Sequence, residues 1–465
     1  MKIMFYYITT HKTLRPVIYN EGIAVLSALA RRAGATPALQ RIDLGDFQTG
    51  NWRVDQDADI HAVSFASQQA GLARRVIADI ARRKAKGLIV VGGVHATVCR
   101  QDVIAMDEVD LVVSGEGEAC FQWLLDNPGQ PLASLRLPNC HVRGREPEPL
   151  AKTQYVDINS LPLPDRTVFD KQLLRERPEF IFSRGCPFSC AYCANEFFNK
   201  HFGFKLRRKS PEYAIAELEN AFALLDIRPE TMLTFHDDVF LLDEQWLESF
   251  AQGYIARFSN PFRCNTIATA VSGSKLETLK RMNCREVWVG VESGDEQYRR
   301  TVLRKNVSNK DLRTAFALIR EAGLKGVSFN LFGCPGETLE NVRRTYELNR
   351  ECAVGDTITS IFYPFPGTSL HDQETAKGNL RELTDEENDR GVSVYALKHY
   401  NVAMDDYAFY LRLLQDHVQG LRLESFFMRL LMACGVNIIT CMGTLKKLPG
   451  FQSLLDAYKR LYRKE

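Results

Sequence analysis

From residue 1 to about 125, short apolar runs alternate with segments whose apolar residues recur every three or four positions. The runs KIMFYYI (2–8), PALQRID (37–43), IHAVSFA (60–66), GLIVVGG (87–93) and VDLVVSG (109–115) predict strands, and 22–32 and 71–85 predict helices with basic outer faces. Strands separated by helices predict a parallel sheet covered on both sides. That is a doubly wound, Rossmann-like α/β domain, whose ligands sit beyond the carboxyl ends of its strands.

Periodicity weakens over 125–178, where SLPLPDRTVFD, with Pro162 and Pro164, reads as an extended linker. Six further runs predict strands: EFIFS (179–183), MLTFH (232–236), FRCNTIA (262–268), EVWVGV (286–291), VSFNLFG (327–333) and TITSIFY (357–363). Helical stretches separate them. Six βα units are fewer than the eight of a closed barrel, so a partial (β/α)6 TIM-type barrel is expected, with its site at the C-terminal strand ends. The expected organisation is a Rossmann-like domain over 1–140, a linker over 141–178, a barrel over 179–375 and a mainly helical region over 376–465, with 407–418 and 425–434 as its strongest helices.

Composition narrows the functional classes. With 59 Lys and Arg against 57 Asp and Glu, the net charge of +2 gives no support to nucleic-acid binding. No run approaches the ~20 apolar residues that cross a bilayer, and MKIMFYYITTHK lacks a signal-peptide core, so a cytoplasmic protein without transmembrane segments is expected. Twelve cysteines in such a chain point to reduced thiols, some of them metal ligands.

Three of the twelve stand out. SRGCPFSCAYCAN places Cys186, Cys190 and Cys193 in a C-x3-C-x2-C loop after the first strand of the second half. Iron–sulfur clusters are commonly held by four thiolates, so three clustered cysteines leave one iron open for a ligand. A structural zinc knot, or a fourth cysteine from elsewhere, is the competing reading. Cys264, Cys284, Cys334 and Cys352 lack paired spacing and read as core thiols.

With Tyr192 as the aromatic residue, this loop resembles the C-x3-C-x-aromatic-C signature of the radical S-adenosylmethionine (SAM) superfamily. The resemblance implies a 4Fe–4S cluster whose fourth iron is chelated by the amino and carboxylate groups of SAM. Reductive cleavage then yields methionine and a 5′-deoxyadenosyl radical that abstracts hydrogen from carbon. The electron would come from a donor such as flavodoxin or ferredoxin. Later strand ends fit the same pattern. FHDDVF puts Asp237 and Asp238 at the barrel mouth, or as helix caps. GVESG puts Glu292 and Ser293 where relatives contact the cofactor, unless Glu292 is a structural ion pair. Arg304 and Lys305 fall where relatives keep a basic residue, and Gly333 and Pro335 belong to a turn near the adenosine.

The first domain has no GxGxxG after its opening strand, so a dinucleotide is not indicated. Its strand ends read SFASQQAG, VVGGVHATV and SGEGEACF, where glycines permit close backbone approach to a flat ligand. With the LPLPDR linker, they resemble the cobalamin-binding class of radical SAM enzymes over most of the first 375 residues. The resemblance implies cobalamin contacts from Ser67, Gly92, Gly93, His95, Thr97, Gly115, Glu116 and Gly117. The D-x-H-x-x-G signature of a cobalt-ligating histidine is absent, because Ser64 follows Asp59 and His61 where that pattern needs glycine. His95 reads equally as a loop-stabilising residue.

The expected activity is methylation of an unactivated carbon in a small biosynthetic precursor, natural product or lipid. A cyclisation, rearrangement or carbon–carbon bond formation on the same scaffold is the alternative. A methylthiotransferase would need a second cluster, for which Cys99, Cys120 and Cys140 are the candidates. A cofactor sensor without catalysis is the bland option. The helices of the C-terminal region are expected to form a lid, or to touch a membrane surface.

Overall fold

The computed structural model describes residues 1–9, 19–152, 155–203, 206–384, 387, 397–398 and 402. It resolves into two compact units. The first comprises Met1–Asn265, Glu277–Arg285 and Tyr363–Lys398, and the second includes Thr266–Leu276 and Glu286–Phe362. The helices expected at 407–418 and 425–434 lie outside the described residues.

The first unit opens on six strands, β1 (Lys2–Ile8), β2 (Thr36–Ile42), β3 (Ile60–Ser64), β4 (Leu88–Gly92), β5 (Leu111–Val113) and β6 (Cys140–Val142), in the order β2-β1-β3-β4-β5-β6. All neighbours run parallel except β5 and β6, which are antiparallel. The sequence reading placed β6 at the start of the linker, and three residues are too few to show a period. Order reverses between β1 and β3, and that switch point opens a crevice at the carboxyl edge. The helices follow local rules. Asn20 caps Glu21–Arg32 by accepting from the Ile23 amide, 3.0 Å, and Asp43 and Asp46 form a capping box at the next helix. Tyr6, Val63, Ile89 and Val91 from the strands pack on Val76, Ile77 and Ile80 of the helix Ala70–Arg83.

The same unit continues with β7 (Glu179–Phe180), β8 (Ser183–Arg184), β9 (Arg207–Arg208), β10 (Leu233–Phe235) and β11 (Phe262–Thr266). β7, β10 and β11 are parallel neighbours, whereas β8 and β9 form a small antiparallel pair. Their core is aromatic. Phe235 meets Phe262 at 4.6 Å and Phe182 at 5.2 Å, and Phe250 stacks on Trp246 at 5.0 Å between ring centroids. A buried ion cluster adds long-range ties. Lys209 Nζ donates to Glu21, 2.5 Å, and Glu217, 2.6 Å, while Arg166 pairs with Glu217 at 3.1 Å. Burial alone would discharge Lys209, but the two carboxylates hold its ammonium above the ordinary lysine range.

In the second unit, β12 (Cys284–Glu292, from Glu286), β13 (Lys325–Phe332) and β14 (Asp356–Ile361) run parallel. Helices Asn309–Glu321 and Leu339–Glu351 each begin with a capping box, on Ser308 and Thr338. Among the described residues no helix is long and apolar enough to cross a membrane.

Candidate functional site

The cysteine loop follows β8 and is fixed at both ends. At its entrance, Phe182 donates its amide to Asp237 Oδ2, 3.2 Å, and the Ser183 hydroxyl donates to the other oxygen. At its exit, Cys193 caps the helix Ala194–Phe202. Asn199, one turn into that helix, reaches back and donates to the carbonyls of Cys186, 2.9 Å, and Phe188, 3.0 Å. Residues far along the chain close the outer side. The Leu370 amide donates to the Ala191 carbonyl, 3.1 Å, and the Ser369 amide and hydroxyl donate to Glu196, 2.8 and 2.5 Å.

Cys186 is buried, and Cys190, Tyr192 and Cys193 are half-buried. Burial pushes the Cys186 thiol up to about 12 and the Cys193 thiol to about 11. Ligation needs thiolates, so metal binding here releases protons. Among the described residues, the one group of three or more ligand atoms within 4.8 Å of one another is His95, Cys99 and Asp102. Three thiols within eight residues of one loop are a donor set that fits an iron–sulfur cluster with one iron left open.

Asp237 and Asp238 part ways. Asp237 is fully buried, and burial lifts its carboxyl above the usual range. Both of its oxygens are taken up by the loop entrance. Asp238 is exposed on its outer side and accepts from Asn195 Nδ2, 3.1 Å. Cys264 is buried and hydrogen-bonded to Cys284.

In the second unit, Glu292 has a left-handed backbone, φ 64°, and its carboxylate accepts from Lys305 Nζ, 2.8 Å. The pair packs over Gly290, where an added Cβ would fall 2.3 Å from Lys305 Nζ and 2.5 Å from Glu292 Oε1. The ion pair weighed for Glu292 is therefore present, and its cation is the lysine expected near the cofactor carboxylate. Ser293 is wholly buried, its carbonyl accepting from Arg299. Arg304 is exposed, with φ 52°. The turn after β13 is pinned from within, by Gly333 N to Glu337 Oε2, 2.6 Å, and by Tyr298 Oη to the Pro335 carbonyl, 2.9 Å.

A second feature of the first unit is a cavity of about 460 Å³ at the carboxyl edge of the first sheet. Tyr7, Gly22, Leu26, Phe65, Gly92 and Gly117 are among its walls, and Arg184 also lines it. The strand-end loops around it are stitched together. His95 Nδ1 meets Ser67 Oγ at 3.1 Å, Thr97 Oγ1 accepts from the Gly115 amide, 2.9 Å, and Ser114 Oγ donates to the Ala96 carbonyl, 2.9 Å. Burial drives the His95 imidazole down to about 4, and its buried Nε2 has no hydrogen-bond partner. Glycine matters differently at each position. Gly93 has φ 93°, and its Cβ would meet Ser64 Oγ at 2.7 Å, whereas a Cβ at Gly92 meets only the Val113 carbonyl at 3.8 Å. The residues fit a broad ligand that lies on backbone and apolar walls.

The cysteines considered for a second cluster do not gather. Cys120 is hydrogen-bonded to Cys140, while Cys99 neighbours His95 and Asp102. Sequence reasoning missed the basic residues that tie the 115–118 loop to the small antiparallel pair. Arg184 binds Glu118, 2.6 Å, and Glu116, 3.3 Å, and Arg207 also binds Glu116. No motif marks such long-range pairs. Asn195 and Asn199 were missed too, although their spacing of four on a helix directly after the triplet was a usable signal.

Residues 180–348 match the family model of the radical SAM superfamily. An uncharacterized methyltransferase of Pyrococcus horikoshii is 27% identical over 361 residues, which cover 74% of this chain and 75% of that protein. Bacteriochlorophyllide d C-8(2)-methyltransferase of Chlorobaculum tepidum is 23% identical over 461 residues, 96% of this chain and 95% of its own length. Among solved structures, the radical SAM methyltransferase TsrM of Kitasatospora setae, with cobalamin and a 4Fe–4S cluster bound, has a TM-score of 0.64 at 17% identity, over 82% of this chain and 79% of that one. At that identity the likeness establishes a shared fold.

Proposed function

We propose, for a chain whose residues 180–348 form a radical SAM domain, a cobalamin-dependent C-methylation of an unactivated carbon in a small biosynthetic precursor. The observation that carries this reading is the pairing, within one compact unit, of a three-cysteine loop at a strand end with a glycine-edged apolar cavity at the carboxyl edge of a Rossmann-like sheet. Cys186, Cys190 and Cys193 are the residues that would hold a 4Fe–4S cluster, which supplies the electron for cleaving SAM. Gly92, Gly93, Gly115, Glu116 and Gly117, with Ser67, His95 and Thr97 behind them, would hold cobalamin, whose contribution is to carry the methyl group.

The chain's own residues orient and exclude. Asp237 and Asn199 hold the loop's entrance and its Cys186 and Phe188 carbonyls in place. Tyr7, Leu26 and Phe65 wall the cavity with apolar surface that keeps water from reactive carbon. In the second unit, Glu292, Ser293, Arg304, Lys305 and the turn at Gly333 and Pro335 are the residues proposed to meet SAM, together with Tyr192 and Asp238. Lys305 Nζ donates to Glu292 and is the basic group suited to a carboxylate. A flavodoxin- or ferredoxin-type donor and a cytoplasmic setting complete the reading, with no nucleic acid as partner and no transmembrane segment.

The test is anaerobic purification with cobalamin, then a visible spectrum, mass analysis of bound cofactors, and assay for 5′-deoxyadenosine after reduction with SAM. Bound corrinoid with 5′-deoxyadenosine supports the proposal. An iron-loaded, reduced protein that forms no 5′-deoxyadenosine overturns the radical chemistry, and one that never retains a corrinoid overturns the cobalamin assignment.

A further inference from the structure

Two asparagines lie one turn apart on the helix that leaves the cysteine loop, and they do different things. Asn199 donates only to oxygens of the loop, the carbonyls of Cys186 and Phe188 and the more distant hydroxyl of Ser189, 3.4 Å. Asn195 reaches a sulfur. Its Nδ2 lies 3.6 Å from Cys193 Sγ and 3.1 Å from Asp238 Oδ2. An amide nitrogen has two hydrogens, and these two acceptors use both. The carboxylate therefore fixes the amide plane, and the second hydrogen is aimed at the sulfur.

We propose that Asn195 is a positioning residue that sets the reduction potential of the cluster held by Cys186, Cys190 and Cys193, with Asp238 as the group that aims it. The inference rests on the cluster assignment above and adds a function for a residue outside the three-cysteine motif. The physical basis is charge. A hydrogen bond to a thiolate ligand withdraws electron density from the sulfur. The one-electron-reduced cluster carries one more negative charge than the oxidised form, so an N–H donor stabilises it more and raises the potential. Asn195 and Cys193 are both half-buried.

Asp238 constrains the direction of this effect. As a bare carboxylate near Cys186 and Cys193 it would oppose reduction. The Asn195 amide gives one hydrogen to the carboxylate and the other to the sulfur, so the donor stands between the two negative groups. Removing the amide takes away the donor and leaves the negative charge, and the two losses act in the same direction.

The experiment uses the full chain, reconstituted anaerobically with iron and sulfide, in wild-type and Asn195→Leu forms. Iron and sulfide are quantified first, and the midpoint potential is then read by EPR-monitored titration with a dithionite-type one-electron reductant. The expected result is equal cluster content and a midpoint shifted to more negative potential in Asn195→Leu. An unmoved midpoint with equal iron content overturns the inference and leaves the cluster assignment standing. A wild-type chain that takes up no iron overturns the cluster assignment instead.

If Asn195→Leu fails to fold or to hold iron, the wild-type protein decides the matter alone. With asparagine labelled by 15N at the side-chain amide, pulsed EPR of the reduced cluster should show a weak coupling to that nitrogen. Its absence overturns the proposal. Asn195→Ser, which restores a shorter donor, is expected to recover part of the shift, whereas a purely structural role would leave the potential of every iron-loaded variant unchanged.

Discussion

At the scale of single residues, burial and pairing decide which of many similar side chains matter. Replacing Cys186, Cys190 or Cys193 by Ala is expected to abolish iron loading and 5′-deoxyadenosine formation, whereas Cys264→Ala should leave iron content at the wild-type level. An iron assay after identical reconstitution separates the two groups. Asp237 makes a different prediction. Asp237→Ala strands the Ser183 hydroxyl and the Phe182 amide in the core, at a cost of about 1–3 kcal/mol for each unsatisfied group, read as a lowered urea midpoint. His61 gives the acid response. It is wholly buried, lies between Tyr6 and the Lys86 carbonyl, and burial holds its imidazole below the ordinary value of 6.5. A depressed folded value means that its contribution is intact above 6.5 and is lost as pH falls below that point. Stability should therefore decline between pH 7 and 5, and His61→Gln should flatten that slope in urea titrations at each pH.

At the scale of elements, the glycine loops separate folding from binding. Gly93→Ala forces a Cβ into the left-handed region and against Ser64, so it is expected to lower stability by about 1–3 kcal/mol. Gly92→Ala meets no such clash and should unfold at the wild-type temperature while retaining less corrinoid, because its methyl narrows the cavity. Thermal unfolding and the visible spectrum of the same samples read both effects. All eleven expected strands are present, since each had three or more apolar or β-branched residues between clear breaks. Those missed, β6, β8 and β9, are two or three residues long and owe their existence to partners distant in sequence. The cysteine triplet was legible because its chemistry is confined to eight consecutive positions. The roles of Asp237 and Glu292 were not, because a carboxylate at a strand end reads alike whether it faces a ligand, a hydroxyl or a lysine.

At the scale of the molecule, ties between remote segments make the first unit cooperative. Glu21 from the first helix and Glu217 from beyond the cysteine loop share Lys209 in a buried cluster. Lys209→Met leaves Glu21 without its cation and Glu217 with Arg166 alone, an expected loss of about 3–5 kcal/mol. Because the cluster joins the sheet half to the loop half, wild-type unfolding of this unit should be a single transition by both far-UV and tryptophan signals. Separate midpoints would mean that the halves fold independently.

The clasp between Glu196 and Ser369 spans 173 residues of chain, and that separation has a consequence for biosynthesis. At about 5–20 residues per second, a ribosome needs roughly 9–35 s to pass from one partner to the other. During that interval the three thiols have emerged, but the segment that covers their loop has not been made. Iron offered to the nascent chain would meet an unroofed loop, open to oxygen and to stray metals. A cluster delivered after translation would instead meet a loop already tied to the segment that carries Ser369.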